Sequence, residues 1–237
     1  MTILAFESSA KAASVALLQD GQLIGEYFQN TAQTHSRTLT KMAEDLLRNS
    51  EKTVSDVDAV AVAAGPGSFT GVRIGVAAAK GFAWGRELPC YGVSTPEAMA
   101  RGAAVCDGVY CACMDARKQQ VYNALFSVRN GALTRLCEDR AIALDELEKE
   151  LHAVGEPVFL VGDGAELCYH TLAGEIPALR LLPEQHRQQR ASGVALVAFD
   201  RIGRGEPGSG LELKPNYIRA SQAEQQKERN NLKNKGE

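Results

Sequence analysis

The chain has 237 residues, of which 45% are hydrophobic, so it can bury a substantial core in one or two domains. Its 26 basic and 29 acidic residues give a net charge of −3, which argues against a broad nucleic-acid-binding surface. The opening run MTILAFESS lacks the basic and long apolar segments of a signal peptide. No apolar stretch approaches the roughly 20 residues of a membrane-spanning helix. These features predict a cytoplasmic protein without a membrane partner.

The first part of the chain reads as three strands followed by a helix. An apolar strand ends at the acidic residue Glu7, and the dipeptide Asp20-Gly21 predicts a tight hairpin turn between the next two strands. A helix begins at about Thr34. Its apolar residues recur at the spacing of a single helical face, with a histidine one turn earlier: His35, Leu39, Met42, Ala43, Leu46 and Leu47.

A glycine-rich turn follows the fourth strand. The strand at 60–64 leads through the GPG turn at 65–67 into a helix that begins at about Thr70. Such a turn points backbone N–H groups, and the positive end of the helix dipole, at a bound anion. We expect Ser68 to cap this helix.

The second half of the chain repeats the order of the first. A strand ends at Asp115, Asn130-Gly131 predicts a second hairpin turn, and a glycine turn follows the strand at 158–161. We interpret this repeat as an internal duplication. A proline after Ser94 predicts another helix start, and a late helix is expected over 190–204.

A duplicated three-strand unit with a leading acidic residue is the layout of the actin, sugar kinase and heat-shock ATPase group. In that group the acid positions a metal, and glycines let the next turn approach phosphates. Here bulkier residues follow both acids, which restricts that approach, and no GK[ST] follows the glycine turn as in a P-loop. The vestigial phosphate-loop residues are Glu7, Ser8, Gly65, Gly67, Ser68, Gly71 and Asp115.

Other catalytic chemistries lack their residues. The four histidines form no HxxxH or HExxH pair, so no metal site is expected. The segment GPGSFTG does not match the GxSxG nucleophile elbow of hydrolases. The glycine turn at 162–164 either lines an adenosine site or turns a strand into a helix, and we favour the turn. The alternative function is an independent ATP-binding kinase or ATPase of the actin-like group.

The first two helices predict an interaction surface. Small residues in the second helix, including Gly71, Gly75 and Ala79, permit close approach of another helix, and the first helix has an apolar stripe. An apolar patch on a protein surface usually marks a partner. The alternative interpretation is that both faces are ordinary core against the sheet.

Four segments resemble the bacterial TsaB (YeaZ) family: ILAFESSAKAASVALLQDG, GPGSFTGVRIGVAAAKGFA, MDARKQQVYNALF and PNYIR. The resemblance covers about residues 1 to 220, and GPGSFTGVRIG is highly specific. It implies an α/β, actin-like (ribonuclease H-like) duplicated fold whose two lobes have mixed sheets flanked by helices. The N-terminal lobe would be 1–105, completed by about 190–220, and the C-terminal lobe 106–189. The polar tail at 221–237 lies outside the resemblance and is expected to be disordered.

The resemblance also implies a function and partners. Members of this family are non-catalytic subunits of the machinery that installs threonylcarbamoyl on an adenosine of tRNA. Such a subunit binds and supports the catalytic subunit TsaD, together with the ATPase TsaE, and contacts tRNA mainly through the complex. The same surface would close a homodimer of the isolated chain.

The resemblance further predicts the cofactor state and the partner-facing residues. No cofactor is expected on this chain alone, and ADP or ATP is expected only at the interface of the complex. Carried over by position, the partner-facing residues are His35, Leu39, Met42, Leu46, Val72, Ile74, Ala79 and Phe82.

Overall fold

A computed structural model describes residues 1–31 and 33–219, and the tail predicted at 221–237 lies outside these described residues. The described residues form eleven strands and seven α-helices. The strands are β1 (Thr2–Glu7), β2 (Ala13–Gln19), β3 (Gln22–Gln29), β4 (Ala59–Gly65), β5 (Cys90–Ser94), β6 (Gly108–Asp115), β7 (Gln120–Arg129), β8 (Ala132–Arg135), β9 (Arg140–Ala143), β10 (Val158–Val161) and β11 (Leu179–Leu181). The helices are α1 (His35–Asn49), α2 (Phe69–Trp84), α3 (Thr95–Ala103), α4 (Leu144–His152), α5 (Ala165–Leu172), α6 (Glu184–Arg187) and α7 (Ala191–Gly203).

The two sheets of the fold have the same topology. The strand order is β3-β2-β1-β4-β5 in the first sheet and β8-β7-β6-β10-β11 in the second, where β9 also pairs with β7. In each sheet the first three strands are antiparallel, and the last two run parallel to the first. The internal duplication predicted from the sequence is therefore confirmed.

The hairpin turns explain how each unit begins. Asp20 and Gly21 have φ values of 50° and 81°, and Asn130 and Gly131 have φ values of 51° and 77°. Left-handed conformations at both central residues give the turn twist that matches a pair of antiparallel strands. Both dipeptides thus form the tight turns that the sequence predicts.

Both faces of the first sheet are covered. On one face Leu4 and Phe6 of β1 pack beneath α1 and α2. On the other face Ile3 and Ala5 pack against α7. Because successive side chains of a strand point to opposite faces, burial of both faces accounts for the continuously apolar sequence of β1.

The second sheet is covered in the same way. Cys111 and Cys113 of β6 lie on the face covered by α4 and α5, whereas Tyr110 and Ala112 lie on the face towards α3. All four side chains are buried. The two cysteines therefore share one side of the strand, as residues two apart in a strand do.

The α3 and α7 helices lie between the two sheets and join the lobes. Gly193 of α7 packs directly against the backbone of Ala98, where a side chain would not fit. An ion pair between Arg101 Nε and Asp200 Oδ2, 2.8 Å long, links the same two helices. The α3 helix falls within the predicted range 1–105, yet its Met99 packs with the second sheet.

Residues 213–219, which we call the C-terminal strap, cross from the first lobe to the second. Leu213 is buried in the first core, and the Asn216 N–H donates to the Ala64 carbonyl at 2.6 Å. Arg219 then donates to the Ala116 carbonyl of the second lobe at 3.3 Å.

None of the described helices combines the length and the apolarity needed to cross a membrane.

Candidate functional site

The start of α2, where an anion would bind, is held by the chain's own first loop. The Ser68 N–H donates to the Ser9 carbonyl at 2.6 Å, and the Ser8 hydroxyl donates to the Gly71 carbonyl at 2.9 Å. The Ser68 hydroxyl accepts the Gly71 N–H at 3.3 Å, which confirms the predicted cap. Backbone groups that would face a phosphate are therefore partly used by the loop at 8–9.

The glycines of the predicted phosphate loop allow the chain to pack on itself. A Cβ at Gly71 would overlap the Ser8 carbonyl oxygen, and a Cβ at Gly67 would lie 2.5 Å from the Ser9 carbonyl oxygen. A Cβ at Gly65 would lie 2.5 Å from the carbonyl oxygen of Asn216 in the C-terminal strap. Beside each glycine, a backbone oxygen of this chain fills the space that a side chain would need. The need for glycine is therefore accounted for without a bound phosphate.

Glu7 is buried beneath this loop, with 1% of its surface exposed. Its Oε1 accepts the Ser9 N–H at 2.6 Å, whereas Oε2 has no hydrogen-bond partner among the described residues. Burial raises the pKa of Glu7 to about 7, and the negative charge of Asp163 acts in the same direction, while hydrogen bonds from Ser9 oppose the rise. The Glu7 carboxyl is therefore enclosed by the chain rather than open to solvent.

The acid of the second unit, Asp115, is engaged by the loop that follows it. The Arg117 N–H donates to Oδ1 of Asp115 at 2.7 Å, and Arg117 Nη1 lies 3.2 Å from Oδ2. Residues Arg117, Lys118 and Gln119 have φ values of 66°, 56° and 57°. Such a left-handed run is uncommon for residues with side chains, and it places long side chains where phosphate-binding loops carry glycine.

The second glycine turn, at 162–164, is also occupied by contacts within the chain. The Gly164 N–H donates to the Cys113 carbonyl at 3.1 Å, and the Gly162 N–H donates to the Arg187 carbonyl at 2.6 Å. A Cβ at Gly164 would lie 2.9 Å from the carbonyl carbon of Met114. These contacts favour the strand-to-helix turn over the adenosine site that the sequence left as an alternative.

The predicted apolar patch on α1 and α2 is largely core, so its assignment to the surface is wrong. Five of its residues are between 0% and 9% exposed and pack against the first sheet: Leu39, Met42, Leu46, Val72 and Ala79. The two helices cover the sheet with their most apolar stripes, so these side chains cannot touch a partner while the lobe is folded. The remaining three, His35, Ile74 and Phe82, are half-buried, and His35 Nε2 lies 2.8 Å from the Ala10 carbonyl.

The exposed sides of the two helices differ in character. The outward positions of α1 are mostly polar or charged, including Arg37, Lys41 and Glu44. The exposed side of α2 begins with Thr70 and Arg73. Further along the helix its exposed residues are Ala77, Gly81 and Trp84, and Trp84 is 70% exposed. We call this set the α2 outer face: Ile74, Ala77, Ala78, Gly81, Phe82 and Trp84. Of this set, the predicted partner-facing residues included only Ile74 and Phe82, although the stripe 77–81–84 has helical spacing.

One group of described side chains has the geometry of metal ligands. Glu148 and His152 of α4 and Glu175 each bring one ligand atom within 4.8 Å of the other two. His152 and Glu175 are exposed. Exposed acidic groups commonly lie this close without an ion, so we assign no metal to them.

The repeated strand order and the two glycine turns define a duplicated, actin-like α/β protein whose phosphate loops are filled by its own backbone. Residues 25–193 match the family described as TsaD, tRNA N6-adenosine threonylcarbamoyltransferase. The chain is 31% identical to the tRNA threonylcarbamoyladenosine biosynthesis protein TsaB of Bacillus subtilis, over 94% of this chain and 96% of that one. The chain belongs to the TsaB (YeaZ) family.

Solved structures agree with this fold. A Pseudomonas aeruginosa protein described as similar to peptidase YeaZ superposes with a TM-score of 0.75 at 26% identity, over 92% of this chain and 99% of that one. The activator of a Clostridium difficile 2-hydroxyisocaproyl-CoA dehydratase, solved with ADPNP, has a TM-score of 0.51 at 12% identity, over 86% of this chain and 97% of that one. The second likeness shows the actin-like fold alone.

Gly71→Ala should destabilise the protein, because the added methyl group would overlap the backbone of Ser8. We expect a loss of about 1–3 kcal/mol in the free energy of unfolding, the usual cost of overpacking. Denaturant titration measures it. Gly81→Ala in the same helix is the matched control, since nothing lies within 4 Å of its added Cβ, and it should gain up to about 1 kcal/mol in helix propensity. Equal stability of the two variants would contradict the close packing at Gly71.

Glu7 should make the protein less stable as the pH rises. Its pKa is about 7 in the folded protein against 4.5 for the ordinary group, so the folded state binds more protons between these values. Stability from this group is complete below pH 4.5 and is lost by pH 7, a difference of about 3 kcal/mol. Glu7→Gln removes the titration, so the excess of its unfolding free energy over that of the wild type should grow from pH 5 to pH 8. An excess that is the same at pH 5 and at pH 8 would contradict this prediction.

Proposed function

We propose that this chain is a non-catalytic subunit in the biosynthesis of threonylcarbamoyladenosine in tRNA, and that it supports the catalytic TsaD-type subunit by binding it. The family and its TsaB relative support the tRNA pathway. The single structural observation that carries the non-catalytic role is the closed first loop, in which Ser8 and Ser9 occupy the approach to the start of α2.

The closed loops support the view that the chain alone does not hold a nucleotide. The buried carboxyl of Glu7 and the engaged carboxylate of Asp115 leave neither unit with a free acid of the kind that positions a metal in actin-like ATPases. ADP or ATP would then bind where this chain meets its partners, with the ATPase TsaE joining the assembly. The Ser68 hydroxyl caps α2, which is a structural role and gives no support to a peptidase.

The α2 outer face is the proposed binding surface for the catalytic subunit. Ala77 and Gly81 are exposed and small, so a helix of the partner can approach the α2 backbone closely. Trp84 lies at the end of the same stripe, and tryptophan is among the residues that contribute most to protein interfaces when buried. A partner with a related fold would present a similar helix, and a second copy of this chain would do so in its absence.

Gly81→Arg should abolish binding to the catalytic subunit, because it places a long cation in the middle of the α2 outer face. An unpaired charge buried at an interface costs several kcal/mol, which weakens the affinity by about a hundredfold or more. Gly174→Arg is the matched control, since Gly174 is also exposed with nothing within 4 Å of an added Cβ. Isothermal titration calorimetry with the catalytic subunit measures the affinities. Equal affinity of the two variants would assign the interface to another surface.

Reconstitution tests the role as a whole. With unmodified tRNA, ATP, threonylcarbamoyl-adenylate and the catalytic subunit with TsaE, modification should require this chain, and the purified chain alone should modify nothing. Full modification without the chain would contradict the proposal. Tight binding of Mg-ATP by the chain alone, lost on Glu7→Ala, would instead favour an independent kinase or ATPase.

A further inference from the structure

Cationic side chains and an exposed aromatic ring lie along the C-terminal strap and at the two elements that it contacts, the start of α2 and the loop at 116–120. We call this set the cationic strip, and its residues are Arg73, Tyr217, Arg219, Arg117 and Lys118. Arg73 Nε donates to the Tyr217 hydroxyl at 2.7 Å. Two residues further on, Arg219 donates to the Ala116 carbonyl at 3.3 Å, and also to the Gln120 side chain, beside Arg117 and Lys118.

Most of these charges are not neutralised. Arg73, Lys118 and Arg219 form no ion pair within the part of the chain that the structure describes, whereas Arg117 pairs with Asp115. Asp163 is the other carboxylate close to Arg117. Among the described residues, the strip therefore carries four cations of which only Arg117 forms an ion pair, on a chain whose net charge is −3.

Aromatic rings hold the strip in place. The Arg73 guanidinium lies 3.8 Å from the centroid of the Phe69 ring, and the rings of Phe69 and Tyr217 stack at 4.5 Å. Tyr217 remains 40% exposed. At the other end of the strip, the left-handed run at 117–119 keeps Arg117 and Lys118 exposed. Both ends of the strip therefore present their charges to solvent from fixed backbone positions.

We propose that the cationic strip binds the phosphodiester backbone of RNA, and that its RNA is the tRNA acted on by the complex; the second part rests on the proposed function. Arginine forks match phosphate oxygens, and an exposed aromatic ring between cations offers a stacking surface for a base. An acidic protein segment would meet the same charges, so it is the competing occupant that the test below separates from RNA. We commit to RNA because the strip combines cations free of ion pairs among the described residues with the exposed ring of Tyr217, the pairing of backbone charge and base stacking that single-stranded RNA uses.

The test is binding of an in vitro transcribed tRNA to the full-length chain in complex with the catalytic subunit. In the double variant Arg73→Gln, Lys118→Gln, the affinity at about 0.1 M salt should fall roughly tenfold. The slope of log affinity against log salt should decrease by about 1.5, as expected for two lost phosphate contacts. The matched control is Lys149→Gln, Arg180→Gln, which removes one lysine and one arginine that are exposed elsewhere and form no ion pair among the described residues.

The outcomes separate the strip from the subunit role. Lower tRNA affinity in the strip variant alone, with the complex intact by size-exclusion chromatography, supports the proposal. Equal tRNA affinity of the two double variants overturns the RNA proposal and leaves the subunit role standing. Loss of the complex, with the tRNA affinity of the chain unchanged, would instead show that the strip binds a protein. If the wild-type chain forms no complex, the proposed function fails, and the same comparison with the chain alone still decides whether the strip binds RNA.

Discussion

The hydrogen bond from the Ser68 N–H to the Ser9 carbonyl fixes the first loop against the start of α2. A helix start has several backbone N–H groups without partners inside the helix, and in actin-like enzymes such groups face a phosphate. Here the first loop occupies part of the space that such a phosphate would fill. The absence of a side chain at Gly71 lets the loop pack against the helix. The same loop covers the buried carboxyl group of Glu7, whose Oε1 accepts the Ser9 N–H.

Much of the fold could be predicted because its signals are local. The Asp20-Gly21 and Asn130-Gly131 turns need left-handed conformations, and the residues themselves favour them. The cap at Ser68 and the start of α3 after Ser94 also depend on neighbouring residues only. The duplication was visible because the same local signals recur in the same order.

The site was harder to predict because its contacts are distant in sequence. Helical periodicity shows which face of α1 is apolar, but it does not show whether the sheet or a partner covers Leu39 and Leu46. The glycines in the turn indicate that a close approach is needed, but not that Ser8 and Asn216 are what approach. The cationic strip joins residues that only the C-terminal strap brings together.

The junction of the two lobes has a consequence for how forces pass through the molecule. The glycine contact between α3 and α7, the Arg101–Asp200 ion pair and the C-terminal strap all tie one lobe to the other. Related folds with open clefts use rotation between lobes to enclose a ligand, whereas three ties resist such a rotation. A displacement of one lobe is therefore carried to the other, because the two sheets cannot turn independently without separating these contacts.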